Sequence, residues 1–169
     1  PSQIISYVSA HDNYTLWDKL AITLQDEVDF TAKDEKVLAA NKLVAGIVMT
    51  LKGTPFFQAG EEFGRTKLGD ENSYISSPDI NKLDWNRCKE YSELVEYYKG
   101  LIAFRQNFAA LNDRSMYELN FIYPICTKDG VVAYEMNNVH NHKDKWDSII
   151  VVYNRNETPY EITLPEGKW

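Results

Sequence analysis

The chain has 169 residues, 44% hydrophobic and 25% charged, the balance of a soluble globular protein with room for one domain or two small ones. Its 18 basic residues are outweighed by 25 acidic ones, and no Lys/Arg cluster offers the cationic surface that nucleic acid requires. No apolar run approaches the roughly 20 residues of a membrane span, since the longest, Gly46-Ile-Val-Met-Thr-Leu51, is interrupted.

The chain opens as Pro1-Ser-Gln, without an initiator Met, and is expected to be a piece of a longer protein. Ile4-Ile-Ser-Tyr-Val8 reads as a buried strand that runs straight into a polar loop, Ser9-Ala-His-Asp-Asn13. Thr15 to Leu24 reads as a helix, with Leu16, Leu20 and Leu24 on one side. Gln25 to Lys33 is an acidic, irregular loop. From Asp34 to Leu51 the helical period is clearest: Val37, Asn41, Val44, Ile47, Val48 and Leu51 form one stripe, Asp34 suits the N-cap and Gly53 the stop. Thr54-Pro-Phe-Phe-Gln58 is a second short strand, and it too ends in polar residues, Ala59-Gly-Glu-Glu-Phe-Gly64.

Strand, loop, helix, strand, loop is a βα unit leading into the next strand. In parallel α/β folds, function collects in the loops beyond the strands' C-terminal ends. His11, Asp12 and Asn13 follow the first strand, and Glu61, Glu62, Arg65, Asp70, Asn72 and Tyr74 follow the second. Carboxylates at converging strand ends suit glycoside hydrolysis, whose oxocarbenium-like transition state needs nearby negative charge. Glu61 and Glu62 are adjacent, so on a strand they would face opposite sides and cannot form a catalytic pair; Glu62 is expected to support the strand end by hydrogen bonds.

Gly64 to Asn86 shows neither helical nor strand periodicity and reads as a long loop. Trp17 and Trp85 are expected to pack. Ser92 to Asn107 is again helical, with Leu94, Val95, Tyr98, Leu101, Ile102 and Arg105 inward. After about Asn112 the pattern turns to β: Val131 to Met136, Ser148 to Tyr153, and an alternating run from Pro159 to Leu164. His140 and His142 sit in a Lys/Asp-rich turn and read as a solvated loop. Cys88 and Cys126 are single and far apart, without zinc or redox spacing, and two unpaired thiols are expected, with one disulfide as the alternative.

Three ordered segments carry a family resemblance. Tyr7-Val-Ser-Ala-His-Asp-Asn13, followed by Tyr14-Thr-Leu-Trp-Asp18, resembles the seventh-strand signature of α-amylase-clan enzymes in the form seen in type I pullulanases. Gly53-Thr-Pro-Phe-Phe-Gln-Ala-Gly-Glu-Glu-Phe63 resembles their eighth-strand signature, and Arg65 to Tyr74 with Ile80-Asn-Lys-Leu-Asp-Trp85 resembles the loop that follows. The likeness runs through about Phe108, and the later region is similar to the β-sandwich domain that follows such barrels. Two positions depart from the pattern: Ile75 stands where a polar residue is usual, and Pro78 near where an acidic one is common.

The resemblance implies a fold that is α/β followed by all-β. Residues 1–111 would be the last two strands and helices of a catalytic (β/α)8 barrel, and residues 112–169 part of an antiparallel β-sandwich. It implies retaining hydrolysis of α-1,6 branches in pullulan, starch or glycogen dextrins. Asp12 would be the transition-state stabiliser, and His11, Asn13, Arg65, Asp70, Asn72 and Tyr74 would contact the glucan. The nucleophile and the acid/base would lie on strands outside this chain, so the fragment alone is expected to be inactive. It would pair with the rest of the enzyme or self-associate through its open edges. No cofactor or metal is implied, and the compartment stays open between cytoplasm and cell surface. An isoamylase-type or glycogen-debranching enzyme, and a non-catalytic glucan-binding module, remain the alternatives.

Overall fold

A computed structural model describes residues 3–112, 122–138 and 145–169 of the chain. Two parallel strands, β1 (Ile5–Ser6) and β2 (Thr54–Pro55), lie side by side, with Ile5 opposite Thr54 and Ser6 opposite Pro55. Thr54 N–H donates to Ile4 O and Phe56 N–H to Ser6 O, both at 2.9 Å. The strands are shorter than the apolar runs that announce them, and the first run is not buried: Ile4, Ile5 and Tyr7 are exposed. Gly53, at φ 108°, makes the approach feasible: a Cβ there would stand 2.7 Å from the Ile4 carbonyl oxygen.

Between the strands run α1 (Leu16–Leu24) and α2 (Glu35–Thr50). Thr15 caps α1 by accepting from Asp18 N–H, and Asp34 caps α2 by accepting from Lys36 and Val37 N–H. The buried face of α2 is Val37, Leu38, Asn41, Ala45, Val48, Met49 and Thr50. It is rotated from the expected stripe because α2 packs on both α1 and α5 (Ser92–Asn107). Leu51 is the C-cap and is exposed.

The segment from Gly64 to Asn86 contains short helices rather than an unstructured loop. After a 3₁₀ turn at Glu61–Phe63 come another at Ser73–Ile75, then α3 (Pro78–Asn81) and α4 (Trp85–Glu90). None spans two full turns, so none could leave a periodic trace in the sequence. Their caps were nevertheless written there: Ser77 with Pro78 at N1 opens α3, and Asp84 opens α4 by accepting from Asn86 N–H. Trp17, Tyr91, Leu94, Tyr98 and Phe63 form the core with the buried face of α2. Trp17 packs as expected, at 1% exposure, whereas Trp85 is 65% exposed and only leans on the Phe63 ring.

Helices are thus followed by an all-β region. α6 (Ala109–Asn112) ends the helical part, and β3 (Ile122–Lys128), β4 (Val131–Asn137) and β5 (Ser148–Asn154) form one antiparallel sheet in the order β3-β4-β5. β3 was not legible in the sequence: Pro124 and an irregularity between Pro124 and Cys126 break its alternation. Conversely, the alternating run from Pro159 to Leu164 joins no strand. The sheet docks on α2 through hydroxyls, with Tyr153 OH 2.6 Å from Thr50 Oγ1 and Tyr134 OH donating to Thr50 O at 3.2 Å. Phe108, Ala110, Leu111 and Met136 close a second core at this junction. The histidine-bearing turn, His140 and His142, lies outside the described residues.

Candidate active site

The loop after β1 and the segment after β2 emerge from the same end of the parallel pair, and their polar residues meet there. His11 and Asp12 stand at the tip, with side chains 90% and 74% exposed and His11 Nδ1 3.7 Å from Asp12 Oδ1. Asn13 follows in the left-handed region at φ 61°, a conformation that asparagine tolerates better than most residues. This sharp reversal separates the exposed tip from the buried cap residue Thr15.

Below the tip the site is buried and tightly bonded. Ser9 Oγ donates to Glu61 Oε2 at 2.5 Å, Tyr98 OH donates to Glu61 Oε1 at 2.8 Å, and Asn41 Nδ2 donates to Tyr98 OH at 3.2 Å. One carboxylate therefore ties the β1 loop, the turn after β2, α5 and α2 together. Burial pushes the Glu61 carboxyl above the usual glutamate value, against the lowering effect of the hydrogen bonds from Ser9 and Tyr98. Burial, with Glu61 beside it, also pushes the Tyr98 phenol up. Glu62 supports the turn after β2 as expected, its Oε2 accepting from Gly60 N–H at 2.9 Å, and Glu61 makes the longer-range bonds. The two glutamates lie on a 3₁₀ turn, not a strand, so alternation does not govern which way they face.

A second clamp is made by Asp18, fully buried in the first turn of α1. Its carboxylate accepts from Thr66 Oγ1 and, through Oδ2, from Lys67 N–H at 2.9 Å. From that anchored position Lys67 sends its ammonium back to the first loop, where Nζ donates to His11 O at 2.9 Å. Lys67 is itself 3% exposed. Burial pushes its ammonium down, and Arg65 acts in the same direction, while Asp70, Asp12 and Asp18 oppose them.

The expected site residues divide into two groups. Asp12 and Asp70 share the electrostatic surroundings of Lys67, together with Asp18. Glu71 sits beside Tyr14 and holds its phenol above the ordinary value, which brings the 70–74 segment to the β1 loop. Asp70 accepts from Asn72 N–H at 3.0 Å and from Ser76 Oγ, shaping the loop from which Asn72 and the 78% exposed Tyr74 project. The Arg65 guanidinium donates to Ala59 O at 3.1 Å and to Asn81 O at 2.6 Å. Ser9, Asp18 and Lys67 were given no role by the sequence, and Tyr98 was expected only to face inward, as it does. Thr15 and Asp18 have the spacing of a capping box, which was the one available signal, but Asp18 bonds the neighbouring segment instead. Among the described residues no set of His, Cys, Asp and Glu side chains could hold a metal ion, and no helix is long and apolar enough to cross a membrane.

Comparison with known proteins shows what the chain is similar to. The pullulanase of Bacillus subtilis (strain 168) is 37% identical over 166 residues, which cover 98% of this chain. The chain is homologous to type I pullulanases. The pullulanase all-beta domain family matches residues 121–169. The pullulanase from Bacillus acidopullulyticus superposes with a TM-score of 0.88 at 33% identity over 99% of this chain. A pullulanase from Paenibacillus barengoltzii, solved in complex with maltohexaose and alpha-cyclodextrin, gives 0.87 at 36% identity over 98%. The homology extends through both the helical part and the sheet. The chain spans 22% of the Bacillus subtilis relative's length, and 20% and 25% of the two solved chains.

Proposed function

We propose that this chain is the part of a debranching glycoside hydrolase that contributes Asp12, the carboxylate stabilising the transition state. In this reading β1 and β2 are the last two strands of a (β/α)8 barrel spanning residues 1–111. Residues 112–169 belong to the β-sandwich domain behind it. The substrate is an α-glucan carrying α-1,6 branches, as in pullulan, starch or glycogen dextrins, and hydrolysis retains anomeric configuration. The observation that carries the reading is the placement of His11 and Asp12, exposed at a parallel strand's end above a bonded foundation, within a pullulanase-like sequence.

Asp12 accepts from ring hydroxyls of the distorted sugar, and His11 donates to the same sugar. Bonds that tighten as the ring flattens toward the oxocarbenium ion lower the barrier rather than merely improve binding. Asn13, Asp70, Asn72 and Tyr74 line the glucan's path, with the Tyr74 ring available for stacking on a sugar face. The nucleophile and the acid/base come from the remainder of the enzyme, which also covers the open edges of β1 and β2. Alone, residues 1–169 are inactive, and they pair with that remainder or self-associate.

In the full-length enzyme, Asp12→Asn should lower the turnover of pullulan by about 100-fold or more, the scale of losing one transition-state stabiliser. KM should change little. Purified residues 1–169 should release no reducing ends from pullulan. Full turnover by Asp12→Asn, or hydrolysis by the fragment, would overturn the reading; a preference for amylopectin over pullulan would redirect it to an isoamylase-type enzyme.

A further inference from the structure

Three long-range bonds grip the strand end that carries His11 and Asp12. Lys19 Nζ donates to Val8 O at 2.7 Å, Ser9 Oγ donates to Glu61, and Lys67 Nζ donates to His11 O at 2.9 Å. The first two hold the foundation. Lys67 holds the residue next to Asp12, and its charge interacts with the Asp12 carboxylate.

Taking a lysine ammonium out of water is costly unless its donors and charge are answered. A side chain serving only to fill space would do so at lower cost as an aliphatic residue. Here the residue as a whole is 3% exposed, its backbone is fixed by Asp18, and its ammonium donates to a carbonyl of the neighbouring loop in a part-buried bond. That loop needs a fixed direction. Immediately after Asp12 the chain enters the left-handed region at Asn13, and the His11 and Asp12 side chains project into solvent with no packing to orient them.

We propose that Lys67 is a positioning residue for Asp12: by bonding the His11 carbonyl from the segment after β2, its ammonium sets the direction in which Asp12 leaves the strand end. The proposal rests on the reading of Asp12 given above. It makes the eighth-strand segment a working part of the Asp12 loop, so the two loops act as one unit.

The test uses the full-length enzyme with pullulan, comparing Asp12→Asn, Lys67→Met, Lys67→Arg and the Asp12→Asn/Lys67→Met double variant. Lys67→Met keeps the stem and removes the ammonium. It should lower kcat by about 10- to 100-fold, the scale of a small misplacement of a reacting group, with KM within about twofold. Lys67→Arg, which keeps charge and donors, should recover most of the loss. In the Asp12→Asn background, Lys67→Met should cost nothing further, because a residue acting through Asp12 has no effect once that carboxylate is gone. A merely structural lysine would lower the melting temperature and lower kcat equally in both backgrounds, and that result would overturn the proposal. So would wild-type turnover in Lys67→Met. If Lys67→Met does not fold, Lys67→Gln replaces it: a loss of kcat confined to the Asp12 background supports the proposal, and none refutes it. Wild-type turnover by Asp12→Asn would instead sink the underlying reading, and the positioning role with it.

Discussion

Ser9 donates its hydroxyl proton to Glu61, and both residues are buried, 52 positions apart in the chain. The bond makes a buried acid the junction between the two strand-end loops. Because burial holds the Glu61 carboxyl above its ordinary value, the folded protein binds that proton more tightly than the unfolded chain does. The stabilisation from this group is fully present below the unfolded glutamate value of 4.5 and is lost as pH rises through the raised folded value. Glu61→Gln abolishes the titration. Melting temperatures of wild type and Glu61→Gln should therefore differ most in wild type's favour near pH 4, and the gap should narrow or reverse by about pH 8. Thermal scans of the intact protein across that range check it, and a constant difference would refute it.

Asp18 controls the second clamp. Removing its carboxylate leaves Thr66 Oγ1 and Lys67 N–H without their acceptor in a buried setting. Asp18→Ala should cost about 3 kcal/mol, and Asp18→Asn, which keeps one acceptor oxygen, about half of that. The loss is local as well as global. Amide exchange at Lys67 and Gly69 should accelerate more than in α2 or β4, as hydrogen-exchange mass spectrometry would show.

What the sequence made legible was the repeating part of the structure. The stripes of α2 and α5 and the runs of β4 and β5 each last long enough to show a period, and α5 falls on the residues expected, Ser92 to Asn107. β3 escaped because Pro124 and an irregular register broke its alternation, and α3 and α4 because they are too short to repeat. The position of His11 and Asp12 beyond a strand's end was legible from the apolar run before them. Their supports were not. Glu61, Asp18 and Lys67 lie about 50 residues away from what they bond, and nothing local distinguishes a buried carboxylate or ammonium from a solvated one before the fold brings its partner.

Arg105 illustrates how far a buried cation can replace regular structure. Its guanidinium donates to Met49, Leu51, Gly53 and Leu111 carbonyls at 2.7 to 2.9 Å, closing the C-terminal end of α2, the approach to β2 and the end of α6. Arg105 is buried, and its bonds to Met49, Gly53 and Leu111 are buried with it, while the bond to Leu51 is part-buried. Lysine retains the charge but cannot spread planar donors over that span. Arg105→Lys should lower stability by about 2 kcal/mol and Arg105→Met by about 3 kcal/mol or more. Both variants should melt early in the intact protein, and Arg105→Lys melting like wild type would show that the charge alone suffices.

Arg65 and Tyr74 were both expected to meet the glucan, and the structure gives them opposite prospects. The Arg65 guanidinium is committed to the carbonyls of Ala59 and Asn81, bracing the turn after β2 against α3. Tyr74 is 78% exposed. Truncating a committed side chain weakens the fold, whereas truncating a free aromatic face weakens only what stacks on it. Arg65→Met should therefore lower the melting temperature of the full-length enzyme, by the loss of two hydrogen bonds worth about 1 kcal/mol each, and shift KM for pullulan little. Tyr74→Ala should leave the melting temperature unchanged and raise KM by about threefold to tenfold, the value of about 1 kcal/mol of aromatic contact. Paired melting curves and steady-state kinetics separate the two outcomes. A KM effect from Arg65→Met without any loss of stability would return that arginine to the glucan path.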